Sequence, residues 1–379
     1  MGARFFTAFR MTLVMRASWR RGCRGKDLDV LKKARFGIIG CGAIGPWHAQ
    51  AIVNSGEAEL VACCDIIDER ARKLASDFSE YGEIRTYTDH RQLLACSDID
   101  AVCVCTPSGL HGVVTIDAAR AGKHVMCEKP VEITLPKIDE MVKACRGAGV
   151  KLGVIFQRRT SGMWHKIKKT IDQGCLGKMV LGDAYLKYYR SQEYYDSGDW
   201  RGTWELDGGG ALMNQGVHMV DILRWIMGPV ETVYAQAGHL AREIQVEDTA
   251  CAVLKFASGA FGVLEGTTSV TPGMDHRLEF HGTKGTILVY GEEVTAWDVP
   301  GDEEGCSESG KGGVDIKVGT AATSPTSIAT EGHTIQIADL CRAIREDRDP
   351  MVTGEEARNA VEVILAVYES ARTGMPVHL

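Results

Sequence analysis

Three groups of residues in this sequence are spaced for chemistry. The first is Gly40-x-Gly42-x-x-Gly45, preceded by the short apolar run 36–39 and followed by an Ala- and Ile-bearing helical stretch. Strand, glycines, then helix is the setting in which this spacing cradles a pyrophosphate. Gly40 permits the tight turn, Gly42 has no Cβ to block the phosphates, Gly45 lets helix and strand pack closely, and the free N–H groups of the helix start face the anion. Together with Ala43 and Ile44 these residues form a candidate dinucleotide loop. The triplet alone is weak in a chain with 43 glycines. Asp65 strengthens it, because it ends the apolar run 60–64 about 20 residues beyond the loop, where an acid accepts hydrogen bonds from the adenosine ribose.

The second group is Glu128-Lys129-Pro130, at the end of the apolar run 124–127. A residue before proline is held extended, so the lysine has a fixed direction, and an X-Pro bond can be cis. The third group follows a triple glycine, Gly208-Gly209-Gly210. Asn214, His218, Asp221 and Trp225 fall at helical spacing on one face, while Leu212, Met219, Ile222, Leu223 and Ile226 make the other faces apolar. A buried helix with a polar stripe needs partners for that stripe, and an active-site wall supplies them.

The elements that must position these groups follow from the alternation of the pattern. Strands are expected at 36–39, 60–64, 84–87, 98–105, 124–127 and 151–156. Helices are expected at 68–78, at 90–95 with Asp89 as N-cap, at 111–121 closed by Gly122, and at 135–148 closed by Gly149. Alternating β and α over such a length predicts a doubly wound parallel sheet. Ligands of such a sheet lie outside the carboxyl ends of its strands, which brings residues 40–45, 106–111 and 128–130 to one crevice. The later half differs: a helix at 163–173, a strand at 180–189, an aromatic stretch through Tyr194 and Trp200, then long strands at 231–238, 248–256, 260–269, 277–281 and 285–290. Residues 282–285 read as a hairpin turn. These predict one wide, mainly antiparallel sheet in an α+β C-terminal domain. Residues 300–330 read as a Gly/Ser/Thr-rich loop, and helices at 333–345 and 355–373 close the chain, packing back on the first domain. The expected organisation is therefore 1–34 as an extension, 35–156 as a Rossmann domain and 157–379 as a substrate and oligomerisation domain.

The bulk numbers narrow the function. With 379 residues, more than one domain is expected. A net charge of −7, with no basic patch in any folded segment, argues against a nucleic-acid partner. The 13 cysteines lie in strands and helices without metal-ligand spacing, so no metal is expected and a reduced, cytoplasmic protein is the reading. Residues 1–26 carry seven Arg and Lys and no acid, which suits either a transit segment or an upstream start. No later run is long and apolar enough for a bilayer.

The glycine loop, Asp65, Glu128-Lys129-Pro130 and the run from Gly208 through Asn214 and His218 to Asp221 resemble the Gfo/Idh/MocA family of oxidoreductases, over essentially residue 35 to the C-terminus. The resemblance implies an NAD(P)-dependent enzyme, associating as a homodimer or homotetramer through its wide sheet. It makes Lys129 and His218 the active-site pair, places Asp221 near the substrate, and lines the nicotinamide end with Thr106, Pro107, His111 and Glu128. Many polyol dehydrogenases of the family carry Asp where this chain has Asn214, and an amide cannot share a proton at neutral pH.

The chemistry so implied is oxidation of a secondary hydroxyl of a sugar, sugar derivative or cyclitol, with a residue in hydrogen-bond reach taking the hydroxyl proton. His218 suits that task and Lys129 would orient the hydroxyl, although a lysine beside a cationic ring could itself be the base. Asp65 repels a 2′-phosphate, which favours NAD over NADP. Trp200 and its aromatic neighbours suit stacking on sugar faces, and Arg158, Arg159, Arg190 and Arg201 are candidates for a substrate carboxylate or diphosphate. Two further readings stay open: an enzyme that retains NAD and processes glycosides through a transient keto-sugar, and a nicotinamide-binding sensor without catalysis.

Overall fold

The computed structural model describes residues 33–301 and 330–379. The expectations for the basic leader and for nearly all of the Gly/Ser/Thr-rich stretch fall outside those residues. In chain order the first sheet is built from β1 (Ala34–Ile39), α1 (Gly45–Asn54), β2 (Ala58–Cys64), α2 (Asp68–Asp77), β3 (Arg85–Tyr87), α3 (His90–Leu94), β4 (Ala101–Val104), α4 (His111–Arg120), β5 (His124–Cys127), α5 (Leu135–Ala148) and β6 (Leu152–Val154). All its strand pairs are parallel, in the order β3-β2-β1-β4-β5-β6. The strands are short apolar runs because both faces are covered: every residue of β4 is buried. Strand order reverses between β1 and β4, so the glycine loop and the turn after β4 open at the same crevice.

The second half continues with α6 (Gly162–Asp172), β7 (Met179–Lys187), α7 (Gln192–Asp196), α8 (Val217–Met227), β8 (Val230–Gly238), β9 (Thr249–Phe256), β10 (Phe261–Thr267), β11 (Arg277–Gly282), β12 (Thr286–Tyr290), β13 (Glu293–Asp298), α9 (Glu331–Glu346), α10 (Gly354–Thr373) and β14 (Val377–His378). Its eight strands run β13-β12-β11-β7-β10-β9-β8-β14, antiparallel except for the parallel β7/β10 pair. β9 alternates buried and exposed residues, the mark of a sheet packed on one face only. Its inner face meets α8 and α10. On the outer face Tyr234 pairs with Val253, Val253 with Val263, and Phe261 with Leu181, and Val253 and Phe261 are 55% and 56% exposed.

Helix α9 lies against α1, β2 and β5, and its Ile337, Leu340 and Cys341 share a buried cluster with Phe36, Ile38 and Ile52. Among the described residues no helix is long and apolar enough to cross a membrane.

Three local expectations change. The single helix expected through Asn214 and Trp225 begins as a π-helical turn, Ala211–Gly216, before α8. The strand expected to reach Tyr189 ends at Lys187, with Tyr189 joined to Ser269 by an isolated bridge. A short helix, α7, occupies part of the aromatic stretch, begun by the Ser191 hydroxyl accepting from Tyr194 N–H.

Candidate active site

The cofactor side of the crevice is made of three strand-end turns. Gly40 has φ +98 and a Cβ there would lie 2.4 Å from the Cys105 carbonyl oxygen, so the β1 turn needs glycine. A Cβ on Gly42 would meet nothing within 4 Å. The chain therefore leaves open the side on which a pyrophosphate would rest. Asp65 accepts from Cys41 N–H at 2.8 Å and from Ile67 N–H at 2.9 Å. It thus ties the glycine loop to the end of β2, and each oxygen keeps a lone pair for a ribose hydroxyl. Thr106 Oγ1 is buried without a protein partner, a second polar position waiting for a ligand. These residues fit a dinucleotide.

His111 is buried at the start of α4, its Nδ1 2.8 Å from Pro130 O and its Nε2 2.9 Å from Thr106 O. A neutral imidazole has one donor for these two acceptors. Burial nevertheless pulls its pKa down against the two carbonyls that pull it up. Either way the ring staples the turn after β4 to the turn after β5. Pro107 begins that first turn as the N-cap of a short 3₁₀ segment.

Glu128 carries the second turn. Its Oε1 meets His48 Nε2 at 2.8 Å and His333 Nε2 at 3.4 Å, while Oε2 accepts from Lys129 N–H at 3.0 Å. The three donor atoms could be imagined around a metal ion, lying within 4.8 Å of one another. A 2.8 Å contact is a hydrogen-bond length, however, shorter than the roughly 3.3 Å between two ligands of one tetrahedral ion. We read the cluster as a clamp. It joins α1, β5 and α9, and through Oε2 it holds the backbone of Lys129. The Lys129–Pro130 peptide is cis. Lys129 Nζ, half-buried, donates to Asn214 O at 2.9 Å, and burial draws its pKa below the ordinary lysine value against the pull of Glu128 and Asp207.

The opposite wall is assembled around Asp207. Its Oδ2 accepts from Gly202 N–H at 2.9 Å and its Oδ1 from Asn214 Nδ2 at 2.6 Å. Burial pushes the Asp207 carboxyl up to about 6. The π-helical turn that places Asn214 is pinned by Glu247, which accepts from Gly210 N–H at 2.8 Å and Leu212 N–H at 2.9 Å. A Cβ on Gly210 would sit 1.8 Å from Glu247 O, so the last of the three glycines is required by that approach. Arg201 stacks on Trp200 and Tyr194, with its centre 4.6 and 4.4 Å from the rings, and donates to Tyr194 Oη at 2.6 Å. Arg158 is paired with Glu292.

His218 sits between the walls, half-buried, with its ring edge-on to Phe156 at 5.7 Å. Its Nδ1 is buried without a partner, and Nε2 is the nitrogen left for a ligand. Burial, then the charges of Lys129 and Arg158, hold its pKa well below the ordinary histidine value. It is therefore neutral at physiological pH and able to accept a proton.

Asp221, one turn beyond His218 on α8, is engaged by an arginine. Arg159 takes both its oxygens, Nε to Oδ2 at 2.8 Å and Nη2 to Oδ1 at 2.6 Å, in a buried fork that also reaches Glu356. The oxygens of Asp221 are thus taken up by Arg159, and the fork of Arg159 is taken up by Asp221 and Glu356. Sequence reasoning did not single out His48, His333, Asp207 or Glu247. Only Asp207 had a signal, lying directly before the three glycines.

A two-sheet protein with a dinucleotide loop facing a lysine and a neutral histidine is a nicotinamide-dependent oxidoreductase by architecture. The chain belongs to the GFO/IDH/MocA family: residues 34–156 match the oxidoreductase family with NAD-binding Rossmann fold, and residues 164–288 match the GFO/IDH/MocA C-terminal domain. It is 32% identical over 267 residues to the myo-inositol 2-dehydrogenase of Thermotoga maritima, covering 67% of this chain and 74% of that one. It is 28% identical over 356 residues to the NAD⁺-dependent scyllo-inositol 2-dehydrogenase of Bacillus subtilis, covering 92% of this chain and 96% of that one. Among solved structures, the WlbA dehydrogenase of Bordetella pertussis, in complex with NADH and UDP-GlcNAcA, superposes with a TM-score of 0.79 at 35% identity, over 92% of this chain and 99% of that one. The protein is an NAD-dependent oxidoreductase acting on CH–OH groups.

Proposed function

We propose that the enzyme oxidises a secondary hydroxyl of a sugar, sugar derivative or cyclitol, with His218 as the base and Lys129 orienting the hydroxyl. The observation that carries this reading is His218 set between the walls with no hydrogen-bond partner for its buried Nδ1, and with burial and the Lys129 charge holding its pKa well below the ordinary value. NAD⁺, when bound, supplies the hydride acceptor, and residues 40–45, Asp65, Thr106 and the turn carrying Glu128 would hold it. Lys129 spends one N–H on Asn214 O and keeps two for the substrate oxygen. That contact lowers the hydroxyl's hold on its proton and aims the oxygen. His218 Nε2 takes the proton as the C–H bond breaks. Asn214 donates to Asp207 and cannot relay a proton, so the proton taken by His218 is not passed on through residue 214. The names of the relatives, two inositol dehydrogenases and a dehydrogenase holding NADH with a sugar nucleotide, support this substrate class.

The test is NADH formation by the purified chain with NAD⁺ and a panel of sugars, cyclitols and UDP-sugars. His218→Ala is expected to lower kcat roughly 100- to 10,000-fold with little change in KM. Unchanged turnover across the pH profile would remove His218 from the mechanism. We also infer that like copies associate through the outer face of the second sheet, where Tyr234, Val253 and Phe261 lie exposed. Phe261→Glu is expected to shift the sedimentation profile toward monomer.

A further inference from the structure

Arg201 is held in a way a surface arginine is not. Its guanidinium lies between Tyr194 and Trp200, which fixes its plane, and its side chain uses one N–H on Tyr194 Oη. A guanidinium has five donors in a planar fork, so this one presents a fixed, mostly unused edge. Arg201 forms no ion pair among the described residues. Arg190, buried on the strand-end side, faces the same Tyr194 ring at 5.7 Å and the Tyr188 ring at 5.9 Å. Gln215 Nε2 also reaches Tyr194 Oη, at 3.1 Å, while its Oε1 is buried without a partner. Tyr194 is thus the platform of a cationic pocket.

The loop that carries Arg201 is hydrogen-bonded to the wall that meets Lys129. Gly202, next to Arg201, donates to Asp207; Asp207 accepts from Asn214; and Asn214 accepts from Lys129. The first of these bonds comes from the backbone beside Arg201 and the last ends on the Asn214 backbone oxygen, so the loop that carries the fork and the turn that meets the ammonium share Asp207 as their anchor. Lys129 and His218 both feel the surrounding cations: Arg201 and Arg190 disfavour charge on Lys129, and Arg158 disfavours it on His218. Hydroxyl groups of a neutral sugar would not match such a concentration of guanidinium groups.

We propose that the sugar this enzyme oxidises bears a carboxylate, received by the edge of Arg201 with Arg190 behind it on the Tyr194 platform. This rests on the reading of the protein as a sugar or cyclitol dehydrogenase and narrows it to acidic sugars. The shared Asp207 anchor, and the reach of both guanidinium groups to the Lys129 charge, favour an anion on the oxidised ring itself over the diphosphate of an attached nucleotide, which would lie further out.

The full chain saturated with NADH would be titrated with glucose, glucuronate, UDP-glucose and UDP-glucuronate, reading NADH fluorescence or heat. Each acid is expected to bind at least about tenfold more tightly than its hydroxymethyl counterpart, the weight of one charge-assisted hydrogen bond or more. Arg201→Gln is expected to remove most of that ratio, and added salt to shrink it. Equal affinities for acid and neutral partner overturn the inference. So does a gain that comes only with the uridine diphosphate and is lost in Arg201→Gln, which would assign the fork to the diphosphate. NADH formation with NAD⁺, followed in parallel, judges the oxidation reading separately: a retained acid preference without turnover on any probe supports the carboxylate site and refutes the dehydrogenase reading.

Discussion

Each wall of the site contains a buried glutamate, and the two are held in opposite ways. Glu128, 5% exposed, ends β5 on the cofactor side; Glu247, 3% exposed, supports the π-helical turn on the substrate side. Burial raises both pKa values. At Glu128 it is outweighed by the His333 and His48 imidazoles, which hold the carboxyl well below its ordinary value. At Glu247 two amide N–H groups and the Tyr368 hydroxyl do not outweigh it, and the carboxyl is pushed up to about 7. Neutral dipoles satisfy hydrogen bonds, whereas imidazoles can also share charge. The cofactor wall is therefore built around a fixed negative charge, and the substrate wall around carboxyls, Asp207 among them, that are close to gaining a proton.

The sharpest way to break this comparison is to remove each acid. Glu128→Ala orphans His48, His333 and the Lys129 N–H together, and is expected to cost about 3–5 kcal/mol in denaturant unfolding. Glu247→Gln keeps an acceptor and loses no charge that the fold depends on, so about 1–2 kcal/mol is expected. Equal losses would mean that the two sites are held alike.

The pH dependence of stability carries the same contrast with opposite signs. Glu247 has a folded pKa of about 7 against 4.5 ordinarily, so its contribution is fully present below 4.5 and is lost as pH rises through 7. That loss is on the order of 3 kcal/mol. Asp207 adds to it with the same sign, ending near pH 6. Glu128 has a depressed folded pKa, so its contribution is present above 4.5 and is lost as pH falls. Denaturant midpoints between about pH 4 and 8 should fall on both sides of a maximum. Glu247→Gln should flatten the alkaline side and leave the acid side in place. A wild-type profile that keeps rising through pH 7 would contradict the assignment of Glu247.

The two walls also differ in how far the sequence displayed them. The cofactor wall is local: glycines after β1, Asp65 after β2 and Glu128-Lys129 after β5 each follow a short apolar run, and a parallel sheet must bring such strand ends together. The substrate wall depends on partners that spacing does not reveal. Asp221 pairs with Arg159, 62 residues away, so helical periodicity grouped it with His218 although its partner lies elsewhere. The π-helical turn changes the period at Asn214 itself, which the pattern from Asn214 to Trp225 had read as continuous α-helix. His333 reaches Glu128 from α9, beyond seven of the eight strands of the second sheet, and an isolated histidine near a helix start offers no sign of that. The clamp and the Glu247 pin are tertiary contacts in the strict sense: each needs the fold before its residues meet.

The smallest effect tests the place where the walls meet. His218 is kept neutral first by burial, then by Lys129 from the cofactor wall, then by Arg158 from the substrate wall. The last two causes can be removed singly. In a ¹⁵N-histidine NMR titration, the His218 signals of the wild type are expected to change below the ordinary histidine range, so that the basic form persists through neutral pH. Lys129→Met should move that transition upward, and Arg158→Met should move it upward by less. Burial persists in both variants, so neither should restore the ordinary value. The double variant should add the two steps if the walls act on the ring through separate fields, since groups without shared partners combine nearly additively. A transition that stays in place in Lys129→Met would show that burial alone keeps the imidazole neutral. The ammonium would then orient the substrate without setting the readiness of its base.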